Sequence, residues 1–213
     1  MVLCIDTTTE QSGIALVSGK VCRYLPLNRA HTSDDILRKI DELIKTAKIK
    51  LSGLTGIFVV KGPGSFTGLR VGISVANQFA HQLGIPIIGL LSDELYSRKT
   101  GEKDFFYLQS MNRDQIYMVG YGKYGRAFPK EIVPVSECHY ELASNTGAMW
   151  LGQLSETHRN KFSGIPEVSD TIPLEKAWLK AAQENLFIQR KKYELVEPYY
   201  GKQPTITKSK KNI

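Results

Sequence analysis

The stretch from Lys61 to Arg70, KGPGSFTGLR, has residue types and a spacing that could do chemistry. It places three glycines, a proline, a serine and a threonine between two cations. The apolar segment GIFVV precedes it and the helix-like segment VGISVANQFAHQLG follows it, so the stretch links a strand to the start of a helix. Backbone amides at such a helix start can bind an anion, and a serine there can act as a nucleophile.

Known phosphate-binding and nucleophile motifs fit this stretch poorly. A P-loop needs a glycine, four residues, and then Gly-Lys-Ser/Thr. Counted from the first two glycines of the stretch, the second required glycine falls on Thr67 or Leu69. A nucleophile elbow around Ser65 would need glycines where Pro63 and Thr67 stand. The spacing therefore gives little support to catalysis by this serine.

Two interpretations of the stretch stay open. In one, it contacts an anion through free amides and through the side chains of Lys61, Ser65, Thr67 and Arg70. In the other, the glycines form a tight turn, and Ser65 or Thr67 caps the helix that follows. Spacing alone favours the turn.

Other candidate chemistry is weaker. Asp6 ends the first apolar segment, ahead of three threonines, at the place where sugar kinases and Hsp70-type ATPases have an Asp-x-Gly-Thr phosphate loop. The glycine that lets a backbone approach a phosphate is missing here, and an aspartate in this position is equally typical of a turn cap. The four histidines and three cysteines show no metal-binding spacing. We predict no catalytic residue, no metal site and no cofactor.

Composition places the chain among ordinary globular proteins. It has 213 residues, of which 42% are hydrophobic and 23% charged, enough for one large domain or two small ones. The longest apolar run, GIPIIGLL, is too short to cross a bilayer, and the first residues lack signal-peptide features. Few, unpatterned cysteines fit a reducing compartment. We expect a cytoplasmic protein without membrane association.

Periodicity predicts an α/β architecture. Five strands and two helices, at 33–47 and 68–83, follow one another as β-β-β-α-β-α-β within the first hundred residues, and a short helix begins at SDELYSR. This is the order of a ribonuclease-H-like unit. FFYLQSM, QIYMVGYG and EIVPV predict a second three-strand meander, and LEKAWLKAAQENLFI predicts a helix. Residues 139–173 have no clear pattern. We predict one lobe at 1–102, a reduced lobe at 103–200 and a basic, disordered tail at 201–213.

Several segments together resemble one family. GPGSFTGLRVGISVANQFAHQLGIPIIG resembles the signature of the bacterial TsaB (YeaZ) family. CIDTTTEQSGIAL, RAHTSDDILRKIDELI and MNRDQIYMVGY match the same family in the same order, and VEPYYGK resembles its C-terminal motif. The resemblance covers about the first 120 residues well. It implies the two-lobed ASKHA fold of actin, Hsp70 and sugar kinases.

The resemblance also implies a function. TsaB proteins are partners of the enzyme TsaD in forming threonylcarbamoyladenosine next to the anticodon of tRNAs that read ANN codons. TsaE joins the assembly, and a TsaB protein contacts tRNA through the complex. The positions that match the H-x-x-x-H metal motif of TsaD are Ser92 and Tyr96, and neither is a good ligand for a transition metal. We therefore expect a non-enzymatic subunit. An ASKHA-type ATPase or kinase with its own nucleotide site is the main alternative, and a metallopeptidase is a third.

A partner surface is expected on the two long helices. The helix at 68–83 carries two apolar stripes, of which one can cover the sheet of the chain itself. The other needs a cover, which is either the helix at 33–47 or a second protein. The resemblance favours TsaD, with a homodimer when the chain is alone. The residues predicted to form this interface are Ile36, Ile40, Leu43, Val71, Val75 and Phe79.

Overall fold

The first sheet of the computed structural model, which describes residues 1–9, 11–28, 32–184 and 193–201, has five strands in the order β3-β2-β1-β4-β5. The strands β1 to β3 pair antiparallel as a meander, while β4 is parallel to β1 and β5 is parallel to β4. This is the meander followed by crossovers that the sequence predicts. The strands are β1 Val2–Asp6, β2 Gly13–Ser18, β3 Val21–Pro26, β4 Gly56–Gly62 and β5 Ile87–Leu91.

The second sheet repeats this plan with four strands in the order β8-β7-β6-β9. Its first three strands again form an antiparallel meander, and β9 runs parallel to β6. Within the described residues the second sheet is one strand smaller than the first. The strands are β6 Phe106–Asn112, β7 Gln115–Gly120, β8 Glu131–Pro134 and β9 Trp150–Gln153.

Six α-helices connect and cover the sheets in the described part of the chain. The two long helices lie where periodicity places them. The segment that the sequence left unassigned, 139–173, contains the end of α4, the strand β9 and the helix α5. The helices are α1 Thr32–Thr46, α2 Phe66–Leu83, α3 Ser92–Tyr96, α4 Val135–Ser144, α5 Glu156–Lys161 and α6 Leu174–Gln183. None of them is long and apolar enough to cross a lipid bilayer.

Two predictions fall partly outside the described ranges. The helix predicted from LEKAWLKAAQENLFI ends at Gln183 in the structure, and residues 185–188 of that segment are not among the described residues. The basic tail predicted at 201–213 lies outside them beyond Gly201.

Three apolar cores organise the molecule. One side of the first sheet is covered by α1 and α2, whose buried stripes meet β-strand residues such as Leu3 and Ile57. The other side faces a central core that also contains α3, α6 and side chains of the second sheet, including Tyr107 and Tyr117. The third core lies between the second sheet and α4. The central core therefore joins the first lobe (the five-stranded sheet with α1 and α2) to the second lobe (the four-stranded sheet with α4 and α5).

Candidate functional site

Ser65, in the glycine-rich stretch, is the N-cap of α2. Its Oγ accepts the backbone N–H of Gly68 at 3.3 Å, and its own N–H donates to the carbonyl of Thr8 at 3.1 Å. The guanidinium of Arg70 lies 4.0 Å from the centre of the Phe66 ring, on the exposed side of the first turn. In this geometry the serine holds the helix end and is not placed as a nucleophile.

The glycines let α2 approach the loop after β1 closely. A Cβ atom on Gly64 would lie 2.7 Å from the Thr8 carbonyl oxygen, and one on Gly68 would collide with the carbonyl oxygen of Thr7. One on Gly72 would collide with the side chain of Thr7. The Thr7 hydroxyl donates to the Gly68 carbonyl at 2.6 Å. The stretch is therefore built for backbone contact between the helix and this loop.

The carboxylate of Asp6 is fully buried and is bound by its own loop. Its Oδ1 accepts the N–H of Thr8 at 2.8 Å and the hydroxyl of Thr8 at 2.9 Å, and its Oδ2 accepts the hydroxyl of Thr9 at 2.8 Å. Burial raises the pKa of Asp6, and these donors partly oppose that rise. In this geometry the residue has the role of a turn cap.

The two positions that match the metal motif of TsaD are buried packing residues. The Ser92 hydroxyl donates to the Pro63 carbonyl at 2.7 Å. The Tyr96 hydroxyl donates to the hydroxyl of Thr9 at 3.4 Å, and burial raises the pKa of this tyrosine above its usual range. Within the described residues no group of three or more histidine, cysteine or acidic side chains could hold a metal ion.

Half of the residues predicted for the partner interface lie in the core of the chain itself. Ile36, Ile40 and Leu43 are only 1–2% exposed and pack between α1 and the first sheet. The apolar stripe of α1 faces its own sheet, so these three residues offer no surface to a partner. On the outer side, α1 is charged, with Lys45 bonded to Asp41 at 2.7 Å.

The second stripe of α2 is less completely covered. Val71, Val75 and Phe79 are half-buried at the edge of the core beneath α1 and α2. On α1, Leu37 is 54% exposed, and it was not among the residues predicted for the interface. Leu37, Val71, Val75 and Phe79 are thus apolar side chains that the two helices leave partly accessible, and we call these four residues the α1/α2 apolar surface.

A segment near the C-terminal end, residues 193–201, covers another side of α2. The backbone N–H of Tyr199 donates to the Lys61 carbonyl at 2.7 Å. The ring of Tyr200 lies 5.1 Å from the ring of Phe66. A Cβ on Gly62 would collide with the Tyr199 carbonyl oxygen, so this glycine allows the segment to approach β4 closely. Lys61 is thus part of a backbone contact in the structure.

A cleft of about 350 Å³ lies between the two lobes. The described residues that line it are uncharged. Of the four predicted anion contacts only Ser65 lines it; Thr67 is exposed on the first turn of α2. The first lobe contributes Thr8, Thr9, Gly64, Ser65 and Phe66, and the second contributes Gln109, Ser110, Met111, Gln153 and Ser155.

Comparisons with known proteins give the family. A model described as TsaD: tRNA N6-adenosine threonylcarbamoyltransferase matches residues 27–182. A tRNA threonylcarbamoyladenosine biosynthesis protein TsaB of Buchnera aphidicola subsp. Schizaphis graminum is 29% identical over 182 residues, which cover 84% of this chain and 76% of the relative. The TsaB of Bacillus subtilis is 28% identical over 162 residues, which cover 74% and 67%. The chain belongs to the TsaB (YeaZ) family.

Solved structures confirm the fold class. YeaZ from Pseudomonas aeruginosa superposes with a TM-score of 0.70 at 19% identity, covering 93% of this chain and 98% of the other. A second structure, described as an uncharacterized protein with similarity to peptidase YEAZ from Pseudomonas aeruginosa, gives 0.72 at 20% identity, with coverages of 94% and 99%. Together with the repeated meander, these matches show the two-lobed ASKHA-like fold.

This TsaB-family chain also contains a serine–histidine pair that the sequence analysis missed. Ser110 Oγ lies 2.8 Å from Nδ1 of the buried His158. His158 Nε2 lies 2.9 Å from the Arg113 carbonyl oxygen, and the N–H of Ser155 donates to Ser110 Oγ at 2.8 Å. The pair is 48 residues apart in sequence, so no spacing motif could have indicated it.

Proposed function

We propose that this protein acts in the cytoplasm as the non-catalytic partner of TsaD in forming threonylcarbamoyladenosine next to the anticodon of tRNAs that read ANN codons. TsaE would join the assembly, and this protein would contact tRNA through the complex. The observation that carries the proposal is the match to curated TsaB proteins, whose printed name is tRNA threonylcarbamoyladenosine biosynthesis protein, over as much as 84% of this chain.

The chemistry of the described residues supports a subunit without its own active site. The Asp6 carboxylate is bound within its loop by Thr8 and Thr9. Ser92 and Tyr96 occupy the positions that match the metal motif of TsaD. Both side chains are buried and hydrogen-bonded within the chain. A protein with this arrangement can act by binding an enzyme and positioning it.

The α1/α2 apolar surface supports the proposed partner contact. Leu37, Val71, Val75 and Phe79 leave apolar area accessible on two adjacent helices, and such area is stabilised by a complementary helix face. We propose that TsaD covers it in the complex and that a second copy of this chain covers it when TsaD is absent.

The sheets suggest where the lobes divide. The first sheet ends at Leu91 and the second begins at Phe106. We propose a first lobe at 1–102 and a second lobe that begins at 103, as the sequence pattern predicts. Within 103–200, α6 and residues 193–200 return to pack against the first lobe.

The alternative of an ASKHA-type ATPase or kinase has less support. Bound phosphates need cations or many free N–H donors, and none of the described residues that line the cleft between the lobes is a cation. A metallopeptidase would need a metal site, and the described residues contain no group that could form one.

Reconstitution tests the proposal. Purified TsaD, TsaE and the enzyme that makes the threonylcarbamoyl adenylate are incubated with unmodified tRNA, with and without this protein. We expect the modified nucleoside, measured by mass spectrometry of the digested tRNA, only when this protein is present. Equal formation without it, or failure of TsaD to co-purify with it from the source cells, would reject the proposed role.

A further inference from the structure

The hydrogen bonds around His158 fix which of its ring nitrogens carries the hydrogen. The Arg113 carbonyl, 2.9 Å from Nε2, can only accept, so Nε2 carries the hydrogen and Nδ1 of the neutral ring is an acceptor. The Ser110 hydroxyl therefore donates its hydrogen to Nδ1 at 2.8 Å. A serine bonded to the free nitrogen of an imidazole, whose other nitrogen is oriented by a third group, has the arrangement that activates a nucleophile.

Ser155 places two donors where negative charge would develop. Its backbone N–H donates to Ser110 Oγ at 2.8 Å, so it would stabilise that oxygen as the proton leaves. Its hydroxyl oxygen lies 3.5 Å from Ser110 Oγ and accepts the backbone N–H of His158 at 3.3 Å. Since Ser110 gives its hydrogen to His158, the hydrogen of the Ser155 hydroxyl can turn to an oxygen of a reacting molecule.

Ser110 is also accessible, because it lies where two cavities meet. It lines both the cleft between the lobes and a neighbouring groove of about 540 Å³. The turn between β6 and β7 and the start of α5 form this groove, with Asn112 and Thr157 in its walls. One lone pair of Ser110 Oγ is bonded to the Ser155 N–H, and the other is available for attack on a molecule in either cavity.

We propose that Ser110 is a site of covalent acylation by small activated acyl donors, such as an aryl ester or a mixed anhydride. Ser110 Oγ attacks the carbonyl carbon of the donor, and its proton moves to Nδ1 of His158. The bond between that carbon and the leaving oxygen then breaks, and the leaving oxygen takes the proton from Nδ1. The products are an ester on Ser110, the released alcohol or acid, and a neutral His158.

The ester should persist on the chain. His158 is only 2% exposed, and its Nδ1 faces Ser110 Oγ, so a water that would hydrolyse the ester has little access to the base that would activate it. The reaction is therefore a modification by one acyl group per chain. It is compatible with the non-catalytic role proposed above and is independent of it.

The test is acylation of the full chain with p-nitrophenyl acetate, followed by trypsin digestion and mass spectrometry. Trypsin releases residues 104–113, a peptide with Ser110 as its one serine and with no lysine. We expect up to one acetyl group on Ser110, which hydroxylamine removes because it is an ester, whereas acetyl groups on lysines stay. The same peptide should react with a fluorophosphonate, and neither probe should label it in the guanidinium-denatured chain, where the pair is absent.

Three variants connect the reaction to the geometry. His158→Asn keeps an acceptor close to the position of Nδ1 but cannot take up a proton, so we expect the acylation rate to fall at least about a hundredfold. Ser155→Ala keeps the backbone N–H and removes the hydroxyl donor, and should slow the reaction at least about tenfold. Ser163→Ala, an exposed serine of the second lobe, should react like wild type. Circular dichroism shows which variants are folded.

Several results would overturn the assignment. One is the absence of an adduct on residues 104–113 in the folded wild-type chain. Another is equal labelling of the native and denatured chains, which would mean that the fold does not activate this serine. Unchanged rates in whichever of His158→Asn and Ser155→Ala are folded would make the hydrogen bonds purely structural. Release of many equivalents of p-nitrophenol that stops in Ser110→Ala would show turnover and would contradict a persistent ester.

Discussion

Asn77 and Val196, which are 119 residues apart in sequence, are joined by a reciprocal pair of hydrogen bonds. The side-chain amide of Asn77 donates to the Val196 carbonyl at 2.9 Å, and the Val196 N–H donates to the Asn77 side-chain oxygen at 3.0 Å. The Asn77 side chain thus gives the backbone of Val196 the donor and the acceptor that a neighbouring β-strand would otherwise supply. Residues 193–201 are held against α2 by this pair together with the Tyr199 contact to β4.

The first prediction concerns this attachment. Asn77→Asp keeps the shape, removes the N–H donor and brings a carboxylate to the Val196 carbonyl. We expect a loss of about 2 kcal/mol in the free energy of unfolding in urea, the scale of a partly buried acceptor left unpaired, and faster proteolysis within 193–201. Gln78→Glu, an exposed site on the same helix, makes the same change of charge and should change stability little. Equal losses in the two variants would mean that the pair contributes nothing specific.

The second prediction concerns the docking of α2 on the loop after β1. Gly68→Ala would bring a methyl group into the carbonyl oxygen of Thr7, which is backbone and cannot move aside cheaply. We expect a loss of about 2–3 kcal/mol in the free energy of unfolding. Gly53→Ala is the control, because the nearest atom to its new methyl group would be 4.0 Å away. If Gly68→Ala is as stable as Gly53→Ala, the close approach is not required.

These contacts show which parts of the fold the sequence can predict. α1 and α2 were predicted because their apolar residues recur at helical spacing over about three to four turns, which is a strong local signal. The apolar stripe of Ile36, Ile40 and Leu43 correctly indicated that these side chains are buried. It did not indicate what covers them, because a sequence pattern does not say whether the chain's own sheet or a partner protein lies opposite. β9 was missed because its four residues, WLGQ, contain a glycine and no β-branched side chain, and its parallel pairing with β6 is long-range.

The candidate site also has a part that the sequence could predict and a part that it could not. The bonds from Thr8 and Thr9 to Asp6 span two or three residues, so the cap interpretation of Asp6 was accessible from the sequence. The Ser110–His158 pair depends on how β6 and α5 are brought together, and neither residue has a local signal.

The third prediction concerns acid stability at Glu94. Its carboxylate accepts the Leu91 N–H at 2.9 Å and pairs with Lys130 at 3.0 Å. Partial burial acts to raise the pKa of Glu94, but the Leu91 donor and Lys130 outweigh it, and the pKa is lowered. A lowered folded-state pKa gives stability that is present above the unfolded value and is lost as pH falls through the folded one.

Wild type and Glu94→Gln should therefore differ most near neutral pH. The difference should begin to shrink as the pH falls through the unfolded-state pKa of about 4.3, and it should vanish only below the lowered folded-state pKa. The measurement is urea unfolding at a series of pH values. Glu42→Gln, on the exposed side of α1, is a control for the general loss of one carboxylate. A difference between wild type and Glu94→Gln that does not change with pH would contradict the assigned role of ionised Glu94.

The fourth prediction concerns the α1/α2 apolar surface. Val75→Glu would place a charge in the proposed contact with TsaD, where it would be desolvated without a partner. We expect binding to TsaD to weaken at least about a hundredfold, with circular dichroism showing that the variant remains folded. Ser74→Glu, exposed on the adjacent side of the same helix, should bind nearly as well as wild type. A folded Val75→Glu that binds TsaD with wild-type affinity would place the contact elsewhere.

The last prediction concerns the basic tail beyond Gly201. The sequence there contains Lys202, Lys208, Lys210 and Lys211 and no acidic residue. Cations near a phosphate backbone release counterions, so their contribution to RNA affinity is independent of sequence and falls steeply with salt. If the assembled complex acts on tRNA as proposed, a chain that ends at Gly201 should bind tRNA more weakly at low salt, with a shallower slope of log affinity against log salt concentration. A variant with the four lysines changed to glutamine should behave like the truncation, since charge and not chain length is the cause. Unchanged affinity and slope in both would leave the tail a solubilising segment without a role in RNA binding.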